Sequence, residues 1–297
     1  GGNTTEDGCP INYGSSLFVA ANSSPVIRNC RIVGNTAIYA CVFFHSSAVP
    51  TFENNEISFS QSFYKGAFYS QSSTATLQSV RFVGNVRSSD GNSSGAAAVT
   101  MNGSLALRGC LFARNYLYKF RPNSPAEAVC ICADDYSTFN VADSTFLHNS
   151  CYDTYGATPA PVVMPTGNKS TCISASTFAS NVITCVSSAA EVKVAGIVSW
   201  SGTSYGRIMA GCAIFDNKNS ATKVAATPVF GTISFDTCSH IIVNSTFSDN
   251  TVDVSAPQAE AVEASRAVLF SSDKGMSYVF NSTFAGDEPL ADIRFQN

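Results

Sequence analysis

The stretch Pro25-Val-Ile-Arg-Asn-Cys-Arg-Ile-Val-Gly-Asn35 recurs along the chain. A second copy, Pro50-Thr-Phe-Glu-Asn-Asn-Glu-Ile-Ser-Phe-Ser60, follows 25 residues later. We call the last residue of each copy its anchor, and the anchors are Asn35, Ser60, Asn85, Asn115, Asn149, Asn181, Asn217, Asn250 and Asp287. Successive anchors are 25 to 37 residues apart. Nine copies at a drifting period indicate one structural unit stacked on itself, with connecting stretches of variable length.

Two positions of the unit are apolar in every copy. Eight residues before the anchor stand Ile27, Phe52, Leu77, Leu107, Val141, Ile173, Met209, Ile242 and Val279. Three residues before it stand Ile32, Ile57, Phe82, Phe112, Phe146, Phe178, Ile214, Phe247 and Phe284. Because both columns are wholly apolar, we predict that both face a core, and that the second column forms the core of the rungs.

The position six residues before the anchor is Asn, Asp or Gly in seven of the nine copies. These residues tolerate a left-handed backbone, so the column predicts a tight bend between two short strands. The anchor would begin the next bend, and stacked anchor side chains would bond from rung to rung in an asparagine ladder. Runs rich in Ser, Thr, Val and Phe lack the 3.6-residue period of a helix and favour strands.

A third apolar run falls in most intervals, as in Ala128-Val-Cys-Ile131. We therefore predict an all-β, single-stranded, right-handed parallel β-helix of about nine rungs with three short strands per rung. Residues 1–297 are interpreted as one continuous domain. Within it, 1–14 would be an N-terminal cap or pairing segment, and 151–169 and 251–266 loop insertions.

The motif Phe-x-x-Asn, as in Phe82 to Asn85 and Phe247 to Asn250, resembles the repeat of the polymorphic outer membrane proteins of chlamydiae. Similar repeats occur in secreted proteins of algae and other protists, and the chain resembles such a relative. The partner motif, Gly-Gly-Ala and an aliphatic residue, is degenerate here in Lys65-Gly-Ala-Phe68 and Ser94-Gly-Ala-Ala97. The resemblance covers nearly the whole chain. It implies an adhesin or surface protein without a shared catalytic site.

Charge and length exclude several classes of protein. The 297 residues carry 17 basic and 21 acidic side chains without a basic cluster, which disfavours nucleic acid and anionic membranes as partners. No apolar run approaches a membrane span. The chain has no initiating Met or signal peptide, and its last copy lies ten residues from the C-terminus without a cap. We expect a mature or excised piece that continues, or onto which another subunit stacks.

Eleven cysteines and three histidines favour disulfides in an oxidising compartment over zinc. The plausible bridges are Cys172 with Cys185, Cys130 or Cys132 with Cys151, and Cys212 with Cys238. Cys30, Cys110 and Cys212 each stand five residues before an anchor, and they are equally well interpreted as buried free thiols. The full set of disulfide candidates is Cys9, Cys41, Cys130, Cys132, Cys151, Cys172, Cys185, Cys212 and Cys238.

Seven glycosylation sequons are present, at Asn3, Asn22, Asn92, Asn102, Asn168, Asn244 and Asn281. Four of them, Asn22, Asn92, Asn102 and Asn168, lie in Ser/Gly-rich stretches that we predict to connect strands. Asn244 and Asn281 fall in the bend column, where a ladder role competes with modification. N-linked glycans are expected, and no cofactor.

Catalytic patterns are sparse. The adjacent pair Asp134-Asp135 follows a strand and is interpreted as a solvated turn, and His45, His148 and His240 hold unrelated places in their copies. The single tryptophan, Trp200, is expected to cover a loop rather than to stack on a sugar. We predict no catalytic residue and no metal site.

Two functions therefore remain open. The favoured one is a non-enzymatic extracellular structural or adhesive glycoprotein that stacks head to tail into a cell-surface or secreted filament. Its partners would be further copies of itself, and other surface proteins or glycans. The alternative is a carbohydrate-active β-helix enzyme or a glycan-binding module, which a row of carboxylates or aromatic rings on one face would support.

Overall fold

The computed structural model describes residues 14–89, 95–119, 127–133, 138–154, 160–165, 171–186, 193–201, 206–222, 229–236, 239–255, 266–272, 277–286 and 291–296. These residues form strands, turns and bends, and they contain no helix. The strands pair in parallel into three long sheets and one two-stranded sheet. Parallel strands stacked coil on coil in chain order make a parallel β-helix, which confirms the predicted fold class.

Sheet 2 shows the repeat most directly, because each copy contributes one three-residue strand to it. Its strand order is chain order, so each coil lies on the one before. The nine strands agree with nine rungs. They are β3 (Arg31–Val33), β7 (Glu56–Ser58), β10 (Arg81–Val83), β14 (Leu111–Ala113), β19 (Thr145–Leu147), β23 (Thr177–Ala179), β27 (Ala213–Phe215), β31 (Thr246–Ser248) and β35 (Thr283–Ala285).

Sheet 1 has seventeen strands in two neighbouring columns, which the long strands β9 and β13 span. The first column comprises β1 (Gly14–Val19), β5 (Ala40–Phe44), β9 (Gly66–Gln78), β13 (Val99–Arg108), β17 (Ile131–Ala133), β21 (Val163–Pro165), β25 (Lys193–Ser201), β29 (Val229–Asp236), β33 (Arg266–Ser272) and β36 (Ala291–Gln296). The second adds β2 (Val26–Arg28), β6 (Thr51–Glu53), β18 (Thr138–Ala142), β22 (Thr171–Ser174), β26 (Arg207–Ala210), β30 (His240–Val243) and β34 (Ser277–Phe280).

Sheet 3 consists of strands that directly follow the anchors, and the repeat analysis did not isolate them. It comprises β4 (Thr36–Ala37), β8 (Gln61–Ser62), β11 (Val86–Ser89), β15 (Tyr116–Lys119), β20 (Ser150–Asp153), β24 (Val182–Val186), β28 (Lys218–Thr222) and β32 (Thr251–Ser255). Two predicted loop insertions therefore begin in strands: 151–169 starts within β20 and also contains β21, and 251–266 starts with β32. Of the predicted N-terminal cap, only Gly14, the start of β1, is described.

The degenerate Gly-Ala motifs lie at the turn from sheet 3 to sheet 1, where neighbouring coils approach closely. A Cβ added to Gly66 would lie 2.0 Å from the carbonyl oxygen of Ala96, so this position excludes any side chain. The second motif supplies β12 (Gly95–Ala96), which pairs with β16 (Glu127–Ala128).

Both ends of the sheet 2 strands are left-handed bends. The predicted bend column has positive φ in all nine copies, including Ser79 at 54° and Ala175 at 44°. A second column immediately before the anchor also has positive φ. Its members are Gly34, Phe59, Gly84, Arg114, His148, Ser180, Asp216 and Asp249.

The core runs along the inside of these sheets. The nine side chains three residues before the anchors all lie at the centre of sheet 2 strands and belong to the core cluster, with Ile32 and Phe284 only partly buried. Rings in this column stack at centroid distances of 4.5–5.0 Å, from Phe82 to Phe112, Phe146 and Phe178. Ring stacking in register resists sliding of one coil over the next.

Candidate functional site: ladders within the coils and surfaces outside

The anchor asparagines form the predicted ladder in the interior. In five successive steps, the side-chain Nδ2 of one anchor donates to the Oδ1 of the next. The steps are Asn85 to Asn115 (3.1 Å), Asn115 to Asn149 (3.0 Å), Asn149 to Asn181 (2.9 Å), Asn181 to Asn217 (2.9 Å) and Asn217 to Asn250 (2.9 Å).

Each ladder amide also bonds to a backbone N–H and a backbone carbonyl of the preceding coil. The backbone N–H of Asn115 donates to Oδ1 of Asn149 at 3.0 Å, and Nδ2 of Asn115 donates back to the carbonyl oxygen of Phe82 at 3.0 Å. Asn115 and Asn149 are 0% exposed, so their polar atoms are satisfied within the protein rather than by solvent. We call this column the amide ladder.

A second polar column occupies the position five residues before the anchor. The backbone N–H of Cys110 donates to Oγ of Ser144, and the N–H of Ser144 donates to Oγ of Ser176, both at 3.2 Å. Each hydroxyl in turn donates to a carbonyl two residues earlier, as Ser144 does to Ala142 at 2.8 Å. The Cys110 thiol lies 3.6 Å from the carbonyl oxygen of Arg108, in the same role, and 3.5 Å from that of Leu77 in the preceding coil. We call this column the hydroxyl-thiol ladder.

No disulfide joins any two of the nine cysteines in the described residues, and Cys9 and Cys238 lie outside those residues. The bridges predicted between Cys172 and Cys185, and between Cys130 or Cys132 and Cys151, are therefore not formed. For the first pair the reason is geometric: Cys185 belongs to the interior core, whereas Cys172 is half-buried on the outer side of β22. Side chains on opposite faces of a coil cannot reach disulfide geometry.

Burial makes several of these thiols weak acids. Desolvation raises the pKa of Cys110 and that of Cys212 from 9.0 to about 11. It also raises the pKa of Cys130 and of Cys151 above the ordinary range. Because the thiolate is the reactive form, buried cysteines of this kind are poor nucleophiles and poor metal ligands.

A charged cluster is enclosed between coils three and five. Nη1 of Arg87 lies 2.9 Å from Oε1 of Glu127, and Nζ of Lys119 lies 3.5 Å from Oε2 of Glu127 and 3.6 Å from Oδ2 of Asp153. All four side chains are at most 2% exposed, and their charges sum to zero. Removing one partner would leave a buried uncompensated charge, so this cluster holds neighbouring coils together rather than offering groups to a substrate.

Sequence reasoning missed this cluster, because it did not recognise the strands that follow the anchors. A usable pattern was present. Arg87 follows its anchor by two residues, and Lys119 and Asp153 follow theirs by four. Even offsets place side chains on one face of a strand, and sheet 3 turns that face inward.

The structure does not bring the three histidines together. His240 is buried in β30, His148 is exposed at a left-handed bend, and His45 lies among aromatic rings on the outer surface. Within the described residues, no group of three or more His, Cys, Asp or Glu side chains is placed to hold a metal ion. The pair Asp134-Asp135 lies outside the described residues.

The prediction that Trp200 covers a loop is wrong. Trp200 lies in β25, is 0% exposed, and donates from Nε1 to the hydroxyl of Thr171 at 3.0 Å. The same hydroxyl accepts a bond from Nη1 of the buried Arg207 at 3.2 Å. Its indole therefore packs the interior, where no sugar could stack on it.

The sequons separate into accessible and partly enclosed sites. Asn22 is exposed in a turn, and Asn244 and Asn281 are exposed at bends, where Nδ2 of Asn281 donates to Oδ1 of Asn244 at 2.7 Å. Asn102 does not lie in a connecting stretch as predicted; it is half-buried within β13 beside a register shift. Asn3, Asn92 and Asn168 lie outside the described residues.

An aromatic cluster covers the outer side of sheet 1 in the first coils. Phe18, Phe43 and Tyr69 lie in register on β1, β5 and β9, with ring centroids 5.4 Å and 5.2 Å apart. Tyr39 and His45 pack edge-on against Phe43 at 6.1 Å and 5.7 Å. This group is separate from the interior core, because Val42 and Phe44 point inward on either side of Phe43.

The outer side of the second column of sheet 1 changes character along the chain. Near the N-terminus it carries charges, with Nε of Arg28 2.7 Å from Oε2 of Glu53. Near the C-terminus it carries exposed apolar side chains, namely Ile241, Tyr278 and Phe280, which are 37%, 43% and 54% exposed. Exposed apolar groups in adjacent coils are typical of interaction surfaces.

No protein-family model matches the sequence, and no curated protein matches it. Among solved structures, the surface protein and adhesin PfbA of Streptococcus pneumoniae is similar over 90% of this chain and 91% of its own, at 10% identity and a TM-score of 0.28. A likeness this weak carries no inference about function. In the part of the chain that the structure describes, no helix has the length and apolarity needed to span a membrane.

Proposed function

We propose that this chain is a non-enzymatic, extracellular structural and adhesive glycoprotein, whose coils stack end to end into a cell-surface or secreted filament. One observation carries the proposal: the bonding from coil to coil repeats without change of geometry along the amide ladder. A repeat that bonds in the same way at each step can be extended by further coils of the same kind.

The outermost described coils are suited to such contacts. Ile27 and Ile32 in the first coil, and Val279 and Phe284 in the last, are only partly buried although they belong to the core columns. Phe284 already stacks on Phe247 at 4.7 Å, with the planes inclined by 2°. A further coil would cover these side chains as the interior coils cover theirs.

A non-catalytic role is supported by the state of the reactive groups. The Arg87–Glu127–Lys119–Asp153 cluster is buried and neutral, and burial raises the pKa values of the thiols of Cys110 and Cys212. The exposed sequons Asn22, Asn244 and Asn281 could carry glycans without disturbing the core. Buried thiols such as those of Cys110 and Cys212 are also compatible with an oxidising exterior, because oxidation requires an accessible thiolate.

The test compares an axial with a lateral substitution in the same coil. We expect electron microscopy of the wild-type chain to show fibres with one chain per axial repeat. Phe284→Asp, on the coil's end face, should leave monomers in analytical ultracentrifugation, whereas Phe280→Asp, on the outer surface, should preserve fibres. Monomeric wild-type protein at high concentration, or loss of fibres only in Phe280→Asp, would overturn end-to-end stacking.

The glycoprotein part is tested separately on material from the native source. Its intact mass should fall on treatment with an N-glycosidase, and peptide mapping should place sugar on Asn22. An unchanged mass would remove glycosylation from the proposal and leave the assembly experiment unaffected.

A further inference from the structure

We propose that the buried charged cluster forms a covalent bond within the chain, an amide between Nζ of Lys119 and Cγ of Asp153. The observation behind it is a buried amine in contact with two buried carboxylates. Nζ of Lys119 lies 3.5 Å from Oε2 of Glu127 and 3.6 Å from Oδ2 of Asp153. The bond joins two neighbouring coils. One bond forms per chain and no outside substrate is turned over, so the reaction is compatible with a non-enzymatic role and does not depend on fibre assembly.

Strand pairing holds the two reacting side chains opposite each other. In the parallel pair of β15 and β20, Lys119 is the direct partner of Asp153. The pairing continues one residue further, because the backbone N–H of Thr154 donates to the carbonyl oxygen of Lys119 at 3.0 Å. Groups fixed in contact by their backbones react as if each were present at an effective concentration of about 10⁵–10⁸ M. The fold therefore supplies the proximity that the reaction needs.

The charges of the cluster select Asp153 over Glu127 as the carboxyl that reacts. Oε1 of Glu127 lies 2.9 Å from Nη1 of the buried Arg87. An amide to Glu127 would remove the carboxylate that this guanidinium contacts, and a buried charge that loses its partner is costly. An amide between Lys119 and Asp153 removes one positive and one negative charge together. Arg87 and Glu127 then remain as a neutral pair.

The reaction is a condensation that the groups present can complete. One proton passes from the ammonium of Lys119 to the carboxylate of Asp153, which leaves an amine and a carboxylic acid. The lone pair of Nζ attacks Cγ and forms the C–N bond. Oε2 of Glu127 takes a proton from the nitrogen and returns it to the departing hydroxyl, as a general base and then a general acid.

Atoms and electrons balance in this step. The C–O bond of Asp153 breaks with its electron pair on oxygen, and one water molecule leaves. Of the three protons of the ammonium, one stays on the amide nitrogen and two leave with the water. Nothing is oxidised or reduced, and Glu127 ends as it began. Glu127 is therefore the catalytic residue of the bond-forming step.

The surroundings favour the amide over the separate charged groups. All four side chains of the cluster are at most 2% exposed. Toward the core, the preceding inward side chains of the two strands are Leu117 and Cys151, which are 0% and 2% exposed. Formation of the amide removes two charges from this enclosed site, where charges are poorly solvated. Hydrolysis would require water to enter the same site.

Mass spectrometry of the complete chain tests the proposal. The chain is produced in a host without N-glycosylation and its thiols are reduced. We expect the folded wild type to be lighter than its sequence mass by one water molecule. Glutamyl endopeptidase cleaves after Glu127 and so separates Lys119 from Asp153 in an unlinked chain. Fragmentation of the digest should instead identify a branched peptide in which these two side chains are joined.

Three results of this measurement would overturn the assignment. They are the full sequence mass in the folded wild type, a water loss located within one linear peptide, and a branch that joins Lys119 to Glu127. A chain that carries the bond but forms no fibres would remove only the assembly proposal, and fibres of unlinked chains would remove only this one.

Two double variants that keep the cluster neutral assign the roles. Lys119→Met with Asp153→Asn removes the reacting pair and leaves Arg87 with Glu127, so this chain should show its full mass. Arg87→Gln with Glu127→Gln removes the base and leaves the reacting pair, and we expect no water loss in the time that the wild type needs to react completely. Circular dichroism verifies folding of both.

The variants can contradict the proposal in two ways. Loss of water that persists without Lys119 and Asp153 would place the reaction elsewhere in the chain. Complete linkage without Glu127 would remove its catalytic role. If either variant fails to fold, the branched peptide of the wild type decides the question alone.

Discussion

The two ends of the sheet 2 strands are held by two different polar columns. The amide ladder lies after each strand, and the hydroxyl-thiol ladder lies before it. In the amide ladder, side chains bond to side chains from coil to coil, and each also bonds to a backbone N–H and a backbone carbonyl of the preceding coil. In the hydroxyl-thiol ladder, a serine hydroxyl accepts from the backbone of the preceding coil and donates within its own coil.

The difference follows from the bonding capacity of the groups. A carboxamide has two N–H donors and an acceptor with two lone pairs, whereas a hydroxyl has one donor. Asn fills seven of the nine anchor positions, because few side chains meet that demand. The other column contains Ser, Cys, Val80 and Asn55, because its demand is smaller. The residue types in the two columns therefore indicate that the anchor end of each sheet 2 strand, where the amide ladder lies, fixes the register between coils.

The largest effect is expected from breaking the amide ladder at its centre. In Asn149→Ala, the backbone N–H and Nδ2 of Asn115 lose their acceptor, and Oδ1 of Asn181 loses a donor, all in the interior. We expect the free energy of unfolding to fall by about 3–5 kcal/mol, since each buried unsatisfied group costs about 1–3 kcal/mol. Urea denaturation measures this change.

Asn140→Ala is the matched control, because Asn140 is an exposed asparagine on the outer side of β18 in the same repeat. Its effect should stay within about 0.5 kcal/mol, as for ordinary surface substitutions. Equal effects of the two substitutions would contradict the assigned role of the ladder.

A smaller effect is expected from the other column. Ser144→Ala removes the acceptor of the Cys110 N–H, and the other bond of that hydroxyl, to the carbonyl oxygen of Ala142, lies within its own coil. A loss of about 1–2 kcal/mol is expected. Ser144→Cys should lose less than Ser144→Ala, because Cys110 and Cys212 already hold this position in other coils. If Ser144→Ala were as harmful as Asn149→Ala, the two ladders would be equivalent and the comparison would fail.

The amide ladder and the bend column could be predicted because each demands a particular residue type. Asn at the anchor and Asn, Asp or Gly six residues earlier are recognisable wherever they recur. The second left-handed column was not predictable, because Phe59, Arg114 and Ser180 adopt positive φ there without sharing any chemistry. Stacking against neighbouring coils imposes that conformation on whatever residue is present.

The candidate surface could not be predicted for a related reason. Phe18 and Phe43 both stand 17 residues before their anchors but Tyr69 stands 16 residues before its own, so no single column of the repeat contains all three. Parallel pairing of β1, β5 and β9 brings them into register, and a residue's distance from its anchor does not fix which neighbours it meets across coils. The buried charged cluster was not predicted for the same reason, since Glu127 reaches it from a different sheet than its partners.

The smallest effect sharpens the comparison within the hydroxyl-thiol ladder itself. Cys110→Ser should change stability by less than about 1 kcal/mol at pH 7, because serine already fills this column in four copies.

The stabilities of the wild type and of Cys110→Ser should diverge only at alkaline pH. Burial raises the pKa of Cys110 from 9.0 to about 11, so the folded state holds this proton more tightly than the unfolded state does. The stabilisation is complete below pH 9 and is lost as the pH rises toward 11. At pH 10 the wild type should therefore have lost about 1 kcal/mol that the serine variant retains, and Cys212→Ser should behave alike. Urea denaturation at pH 7 and pH 10 measures the difference, and identical pH dependence in wild type and variant would show that the thiol is not enclosed as the ladder requires.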